Sequence, residues 1–303
     1  MPPSTHSSEA VRGALAASAC YLLWGLVPVF WKQLAAVDAT EVIAHRHVWS
    51  LLFVLVLMRA GAGWEQLREA VRARAPLQWH AASGVLLTVN WLVYVWGVNH
   101  GHVIETSLGY FLVPLVVVAL GRVLLHERLR PGQWLAIACA LVGVLVLVER
   151  VGRLPWIALT LAGTWSVYGL LRKKSPLGPL VGLGLETLLM TPPAVGFLLW
   201  RQYAGAGAFG HASLMTHVYL VSVGVITAVP LLLFAFAARR IRFSTLGFLQ
   251  YIAPSLQFAI GLWFYHEPFS PQQAAAFVFI WCGLGLYTAD NLWSQRRLLA
   301  SGS

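Results

Sequence analysis

Ten apolar stretches of roughly twenty residues each follow one another along this chain, and no other feature limits its fold so tightly. A helix that crosses the hydrocarbon core of a bilayer needs about 20 apolar residues and satisfies every backbone hydrogen bond internally. Bounded by charge, proline or glycine, the stretches fall near 13–33, 41–59, 79–99, 103–125, 131–149, 153–172, 179–200, 216–238, 243–265 and 271–289. A membrane β-barrel would show alternating segments about half as long. Only 11% of the 303 residues are charged, against about 25% in soluble domains, so a single soluble globular domain is excluded. A hydrophobic share of 58% excludes disorder. The expected fold is an all-α membrane protein with ten transmembrane helices.

The charges that remain are informative by position. Fifteen of the 21 Lys and Arg residues fall on one side of these spans: Arg12, then Arg59 to Arg74, Arg128 and Arg130, Arg172 to Lys174, Arg239 to Arg242, and Arg296 and Arg297. Four, Lys32, Arg150, Arg153 and Arg201, fall on the other; Arg46 and Arg122 lie within spans. Cationic loops stay in the cytoplasm, so both termini are expected there. The net charge of +10 is thereby a matter of orientation, and no nucleic-acid partner is expected.

The two halves match at an offset of 140 residues: Pro114 with Pro254, Ala119 with Ala259, Gly121 with Gly261, His126-Glu127 with His266-Glu267, Pro131 with Pro271, Gln133 with Gln273, and Gly143 with Gly283. Trp24 and Lys32 parallel Trp165 and Lys173 at one residue more. The expected organisation is a tail at 1–12, a five-span repeat at 13–149, a second at 150–290 and a tail at 291–303. An odd number of spans per repeat turns the second copy upside down, the inverted repeat of transporters, whose site lies near the midplane between the copies. Pro114 and Pro254 each sit about halfway through a span and free the carbonyls of Tyr110 and Gln250. They read either as packing kinks or as paired hinges that line a cavity.

Several strings carry a family resemblance: Tyr21-Leu22-Leu23-Trp24-Gly25-Leu26-Val27-Pro28, Glu41-Val42-Ile43-Ala44-His45-Arg46, Asn90-Trp91, Glu105-Thr106-Ser107-Leu108-Gly109-Tyr110-Phe111, His126-Glu127-Arg128, Arg172-Lys173-Lys174, Ser244-Thr245-Leu246-Gly247 and Gln250-Tyr251-Ile252-Ala253-Pro254. In these the chain resembles the RarD branch of the EamA-type drug/metabolite transporters over nearly its whole length. The resemblance implies ten spans in two EamA-like repeats, a bacterial inner-membrane location and export of small metabolites or drugs.

Charges within spans are costly and usually face a cavity or one another. Glu41, His45 and Arg46 open the second span, Glu41 and His45 on one face. They read either as a cluster snorkelling to the interface or as the lip of a cavity in which Arg46 attracts an anion. Glu105 and Glu186 would pair with Arg46, contact a substrate or carry a coupling proton. Glu127 and Glu267, at the ends of the fourth and ninth spans, are expected to cap helices or anchor loops. The remaining candidates for the cavity are Trp24, Asn90, Trp91, Tyr94, Tyr110, Trp165, Tyr168, Gln250 and Tyr251.

Other motifs carry no chemistry. Gly205-Ala206-Gly207-Ala208-Phe209-Gly210 has the letters of a dinucleotide loop but no preceding strand. His126-Glu127 and His266-Glu267 lack the second histidine of a zinc protease, and Cys20, Cys139 and Cys282 show no metal spacing. No phosphate-binding loop is present. No metal, cofactor or catalytic residue is expected. The expected activity is secondary transport of amino-acid-like or amphipathic solutes by alternating access; the alternative is an intramembrane enzyme acting on a lipid or small metabolite. The expected partners are a small-molecule solute and the lipid bilayer, with the chain a monomer or a homodimer.

Overall fold

The computed structural model describes residues 4–59, 61, 63–100, 102–149, 155–263 and 271–300, and within these only helices, turns and irregular connections occur. The α-helices are α1 (Ser4–Trp31), α2 (Ala39–Met58), α3 (Gly63–Arg72), α4 (Arg74–Asn99), α5 (Val103–Leu124), α6 (Pro131–Glu149), α7 (Trp156–Lys174), α8 (Pro179–Tyr203), α9 (Leu214–Ala238), α10 (Phe243–Leu249), α11 (Ile252–Trp263) and α12 (Pro271–Ala300), with one 3-10 turn at Lys32–Leu34. Six contain stretches that are long and apolar enough to cross a membrane by length and composition alone: α1, α2, α5, α8, α9 and α12. With α4, α6, α7 and the α10–α11 pair these make the ten expected spans. The stretch between the second and third spans adds α3, a short helix that buries Leu67 and Ala70 and exposes Arg68 and Arg72. His266 and Glu267 lie outside the described residues.

Helix ends inside an apolar bundle need partners for their free amides and carbonyls. Some caps are local: Asp38 accepts the amide protons of Thr40 and Glu41 at the start of α2, and Ser213 accepts that of Thr216 in α9. Others come from remote helices. Glu105 accepts the Ile157 amide at 2.7 Å and so caps α7. Glu127 accepts the amides of Phe243 and Ser244 at 2.6 and 3.0 Å and so caps α10. The Lys173 ammonium donates to the carbonyls of Ala238, the last residue of α9, and of Ile241 just beyond it. Glu127 thus has the capping role expected of it.

The ninth span is broken, where a single helix over 243–265 was expected. Pro254 has no N–H to give the Gln250 carbonyl, which accepts the Ala253 amide at 3.2 Å instead, and the helix interrupts at Gln250 and Tyr251. Helix α5 runs unbroken through Pro114. The two prolines, equivalent in the sequence, therefore do not produce equivalent interruptions.

Packing between the halves comes in matched pairs. Counting spans in order, α4 lies on α7 as α9 lies on α1, α5 on α7 as α11 on α1, and α4 on α8 as α9 on α2. Three contacts pair equivalent spans: α2 with α8, α5 with α10, and α6 with α12. In the last, a Cβ on Gly143 would stand 2.7 Å from the Ala276 carbonyl oxygen, and one on Gly283 the same 2.7 Å from that of Ala136. Gly143 and Gly283 are 140 apart, as are Ala136 and Ala276. Residue i meets residue j and j's equivalent meets i's, the signature of a two-fold contact. Equivalent residues also touch directly: the Tyr251 hydroxyl donates to the Phe111 carbonyl, 140 positions earlier, at 3.3 Å. Trp24 and Trp165 meet edge to face at 5.0 Å between centroids.

Candidate functional site

Where α2, α4, α8 and α9 converge, the bundle encloses a small pocket with room for about one water. Eight of its lining residues form four pairs separated by 140 positions: Arg46 with Glu186, His47 with Thr187, Ser50 with Met190, and Leu87 with Thr227. The pocket thus has equivalent residues of the two halves around it, and the pair of strongest chemical interest has opposite charges.

Arg46 is 2% exposed, yet among the described residues no carboxylate lies within 4 Å of it. Its Nη2 donates to His47 Nε2 at 3.2 Å, and its guanidinium carbon lies 3.8 Å from the centre of the Trp91 ring. Cation–π contact offsets part of the desolvation of a buried guanidinium. Among the described residues the Arg46 Nε has no hydrogen-bond partner, and neither has the Thr227 hydroxyl, which lines the same pocket. Thr88 Oγ1 lies 3.4 Å from His47 Nε2 and completes this side.

Glu186 is the opposite case. Arg172 Nη1 reaches its Oε1 at 3.0 Å and His80 Nδ1 at 3.2 Å, and the Ser83 hydroxyl donates to the same oxygen. The Tyr168 hydroxyl approaches Oε2 at 3.5 Å. His80 Nε2 meets Ser175 Oγ at 2.9 Å, and Arg172 Nη2 donates to the Pro179 carbonyl at 3.0 Å. This network lies on the α3 side of the pocket and ties α4 and α7 to the start of α8.

The other residues singled out in the sequence divide by position. Glu41 lies on the opposite side, 1% exposed, accepting the Ala208 amide at 2.7 Å and Arg201 Nη2 at 3.2 Å, with His45 Nε2 at 3.8 Å. His45 accepts the Trp49 indole N–H at 3.3 Å and meets the Phe209 ring at a tilt, 5.1 Å between centroids. These contacts pin the α8–α9 loop over that side of the pocket. Asn90 donates to the Leu161 carbonyl and Thr164 Oγ1, both at 2.8 Å, joining α4 to α7. Tyr94 and Tyr110 meet edge to face at 5.6 Å, and the Trp165 indole N–H donates to Gln250 Oε1 at 3.3 Å beside Tyr168. Tyr251 and Glu105 make the helix contacts given above. Of the fourteen cavity candidates, Arg46 and Glu186 line the pocket; Trp91 and Tyr168 lie against those two.

Sequence reasoning did not single out His47, His80, Ser83 or Thr227, and it counted Arg172 among the loop cations. Arg172 is 2% exposed and His80 fully buried. The available signal was the offset itself: adding 140 to Arg46 gives Glu186, and the same step from Leu87 gives Thr227.

Ten helical spans, four of them around a buried pocket that Arg46 and Glu186 line, make this a multi-pass membrane protein of transporter architecture. The fold is shared with a crystal structure at a TM-score of 0.68 and 20% identity, covering 91% of this chain and 97% of that one. The model of the EamA-like transporter family matches residues 11–149. Protein RarD of Streptomyces exfoliatus is 42% identical over 96% of this chain and 92% of its own length. Protein RarD of Escherichia coli K12 is 40% identical over 94% and 97%, and a Pseudomonas aeruginosa protein named chloramphenicol-sensitive protein RarD is 32% identical over 95% and 96%. The chain belongs to the EamA-like transporter family, in its RarD branch.

Proposed function

We propose that the protein is a secondary transporter of the bacterial inner membrane that exports small metabolites or drugs, amino-acid-like or amphipathic in character, by alternating access. The carrying observation is the pocket lined by four pairs of equivalent residues. Inverted-repeat transporters hold solute where their repeats meet, because exchanging the conformations of the two halves then opens the same site to either side. The matched helix packings support the repeat, and the odd number of spans in each half makes it an inverted one. Two polar clusters flank the site. Glu186, Arg172, His80 and Ser175 close one side, and Glu41, Arg201 and the Ala208 amide close the other. Opening either side means parting one of them. Even without Arg172, fourteen cations against four support a cytoplasmic placement of both termini and of α3.

An untargeted comparison of solutes exported by cells lacking and cells overproducing the protein identifies the cargo. Flux of that cargo into proteoliposomes then tests the site. Arg46→Ala inserts normally and loses flux, while Arg46→Lys recovers it only in part, because an ammonium lacks the planar fork of a guanidinium. Full flux by the alanine variant overturns the assignment of the pocket. Chemical conversion of the cargo during uptake would favour the enzyme alternative.

A further inference from the structure

We propose that the solute admitted to this pocket when the helices part carries a carboxylate or an equivalent anionic group, bound by Arg46 and Thr227, and that Arg172 makes this possible by holding Glu186 away from Arg46; the closed pocket has room for about one water. The inference rests on the pocket being the transport site, and it adds the chemical class of the cargo and a positioning role for Arg172.

The first support is a charge count. Around the pocket lie two buried guanidiniums, Arg46 and Arg172, and one buried carboxylate, Glu186. His47 accepts from Arg46 and so contributes no charge. His80 is neutral or positive. The surplus is positive in either case, and an uncompensated cation in a low-dielectric interior is costly until an anion joins it.

The second support is the unused hydrogen-bonding capacity. Arg46 Nε–H and the Thr227 hydroxyl are both buried at the pocket without partners among the described residues. A guanidinium N–H and a hydroxyl lining one pocket suit a carboxylate, which can accept from both at once. One face of the guanidinium is covered by Trp91, so a ligand cannot approach from that side.

The third support is that the protein's own carboxylates are occupied. Glu41, five residues before Arg46 on α2, is bound to the Ala208 amide and Arg201. Glu186, the repeat equivalent of Arg46, faces the same pocket but has Arg172, His80 and Ser83 all on Oε1. In a site with two equivalent halves, residues 46 and 186 would be natural partners. Arg172 competes for Glu186, and Arg46 is left for the cargo. Arg172 is on this account a positioning residue that never touches solute.

The test uses purified full-length protein in detergent, with acetate, benzoate and a set of amino acids as probes, each against its primary amide. Unfolding temperature and equilibrium binding are read together. The parent is expected to be stabilised by at least one carboxylate and not by its amide. Arg46→Gln is expected to weaken that binding about tenfold or more, the loss of one charge-assisted contact. Arg172→Gln is expected to weaken it as well, by releasing Glu186 to pair with Arg46. The double variant Arg172→Gln with Glu186→Gln leaves Arg46 alone again and should recover binding, which a merely structural role for Arg172 does not predict. Equal effects of acids and amides on the parent, carboxylate binding that survives Arg46→Gln, or a double variant no better than Arg172→Gln each overturn the proposal. Transport of an uncharged cargo that ignores the charge at position 46 overturns it while leaving transport intact. Carboxylate binding without any flux overturns the transport reading instead.

Discussion

Replacing Gly143 or Gly283 with alanine tests the two-fold relation between the halves. Each new Cβ would stand 2.7 Å from a carbonyl oxygen of the facing helix, Ala276 for the first and Ala136 for the second. Ordinary contact begins near 3.4 Å, so α6 and α12 must separate locally by about 0.7 Å. At Gly283 the other near neighbours are the Ala140 amide nitrogen at 3.3 Å and the Ala140 methyl at 3.5 Å, which have no freedom to turn aside. Gly143 also meets Ile280 Cγ1 at 3.0 Å, which can turn aside, and Phe279 Cβ at 3.2 Å, which cannot. Overpacking of this size costs about 1–3 kcal/mol. In a bilayer the loss falls directly on the interface, because close van der Waals approach at small residues is much of what holds such helices together. Both contacts belong to one helix pair, so a single displacement relieves both. The double variant should therefore lose less than the sum of the singles, by about 0.5 kcal/mol or more. Reversible unfolding in mixed micelles, titrated with a denaturing detergent, measures all three. Alanine variants within about 0.5 kcal/mol of the parent, or a loss at one glycine alone, would refute the reasoning.

Glu127→Ala removes three acceptor contacts from the start of α10, the Phe243 and Ser244 amides and the Ser244 hydroxyl at 2.6 Å. It should cost about 3 kcal/mol in the same assay and speed hydrogen exchange at those amides, with Glu127→Gln intermediate. Asp38→Ala should cost about 1 kcal/mol at neutral pH by uncapping α2. The Thr40 hydroxyl, with the amides of Glu41 and Thr40, holds the Asp38 carboxyl below its ordinary 3.8. Its contribution is therefore complete above 3.8 and disappears as the pH falls through the lower folded value, so parent and variant should converge there in a pH series of unfolding curves. A periplasm-dependent reporter inserted at 204–213 should be active and one at 60–73 inactive; the reverse result inverts the proposed orientation. Pro254→Ala should restore helical exchange protection around Gln250 and Tyr251, whereas Pro114→Ala, in a helix already continuous, should change little; equal effects would contradict the difference between α5 and α10–α11.

The spans, the repeat and the family were legible in the sequence because each is written in local or periodic terms. A bilayer demands about twenty apolar residues per crossing wherever they occur, and an offset of 140 positions needs no coordinates to detect. Buried charge was legible too, since Arg46 and Glu186 stand out within apolar runs. What the sequence left open was partnership. Arg172 sits at the end of a span beside Lys173 and Lys174, and nothing local distinguishes it from a cytoplasmic loop cation. Only the packing of α4, α7 and α8 shows it buried against Glu186. Glu105 and Glu41 read as cavity groups by composition, but the fold sets the first on the Ile157 amide and the second on Ala208, 52 and 167 positions away. The break at Gln250 likewise depends on tertiary context, because Pro114 and Pro254 have the same covalent effect and only one helix is interrupted. Hydrophobicity is a sum over a segment and can be read along the chain; the pairing of a buried charge depends on which of several partners, far apart in sequence, arrives within about 3 Å, and that is settled only when the helices pack.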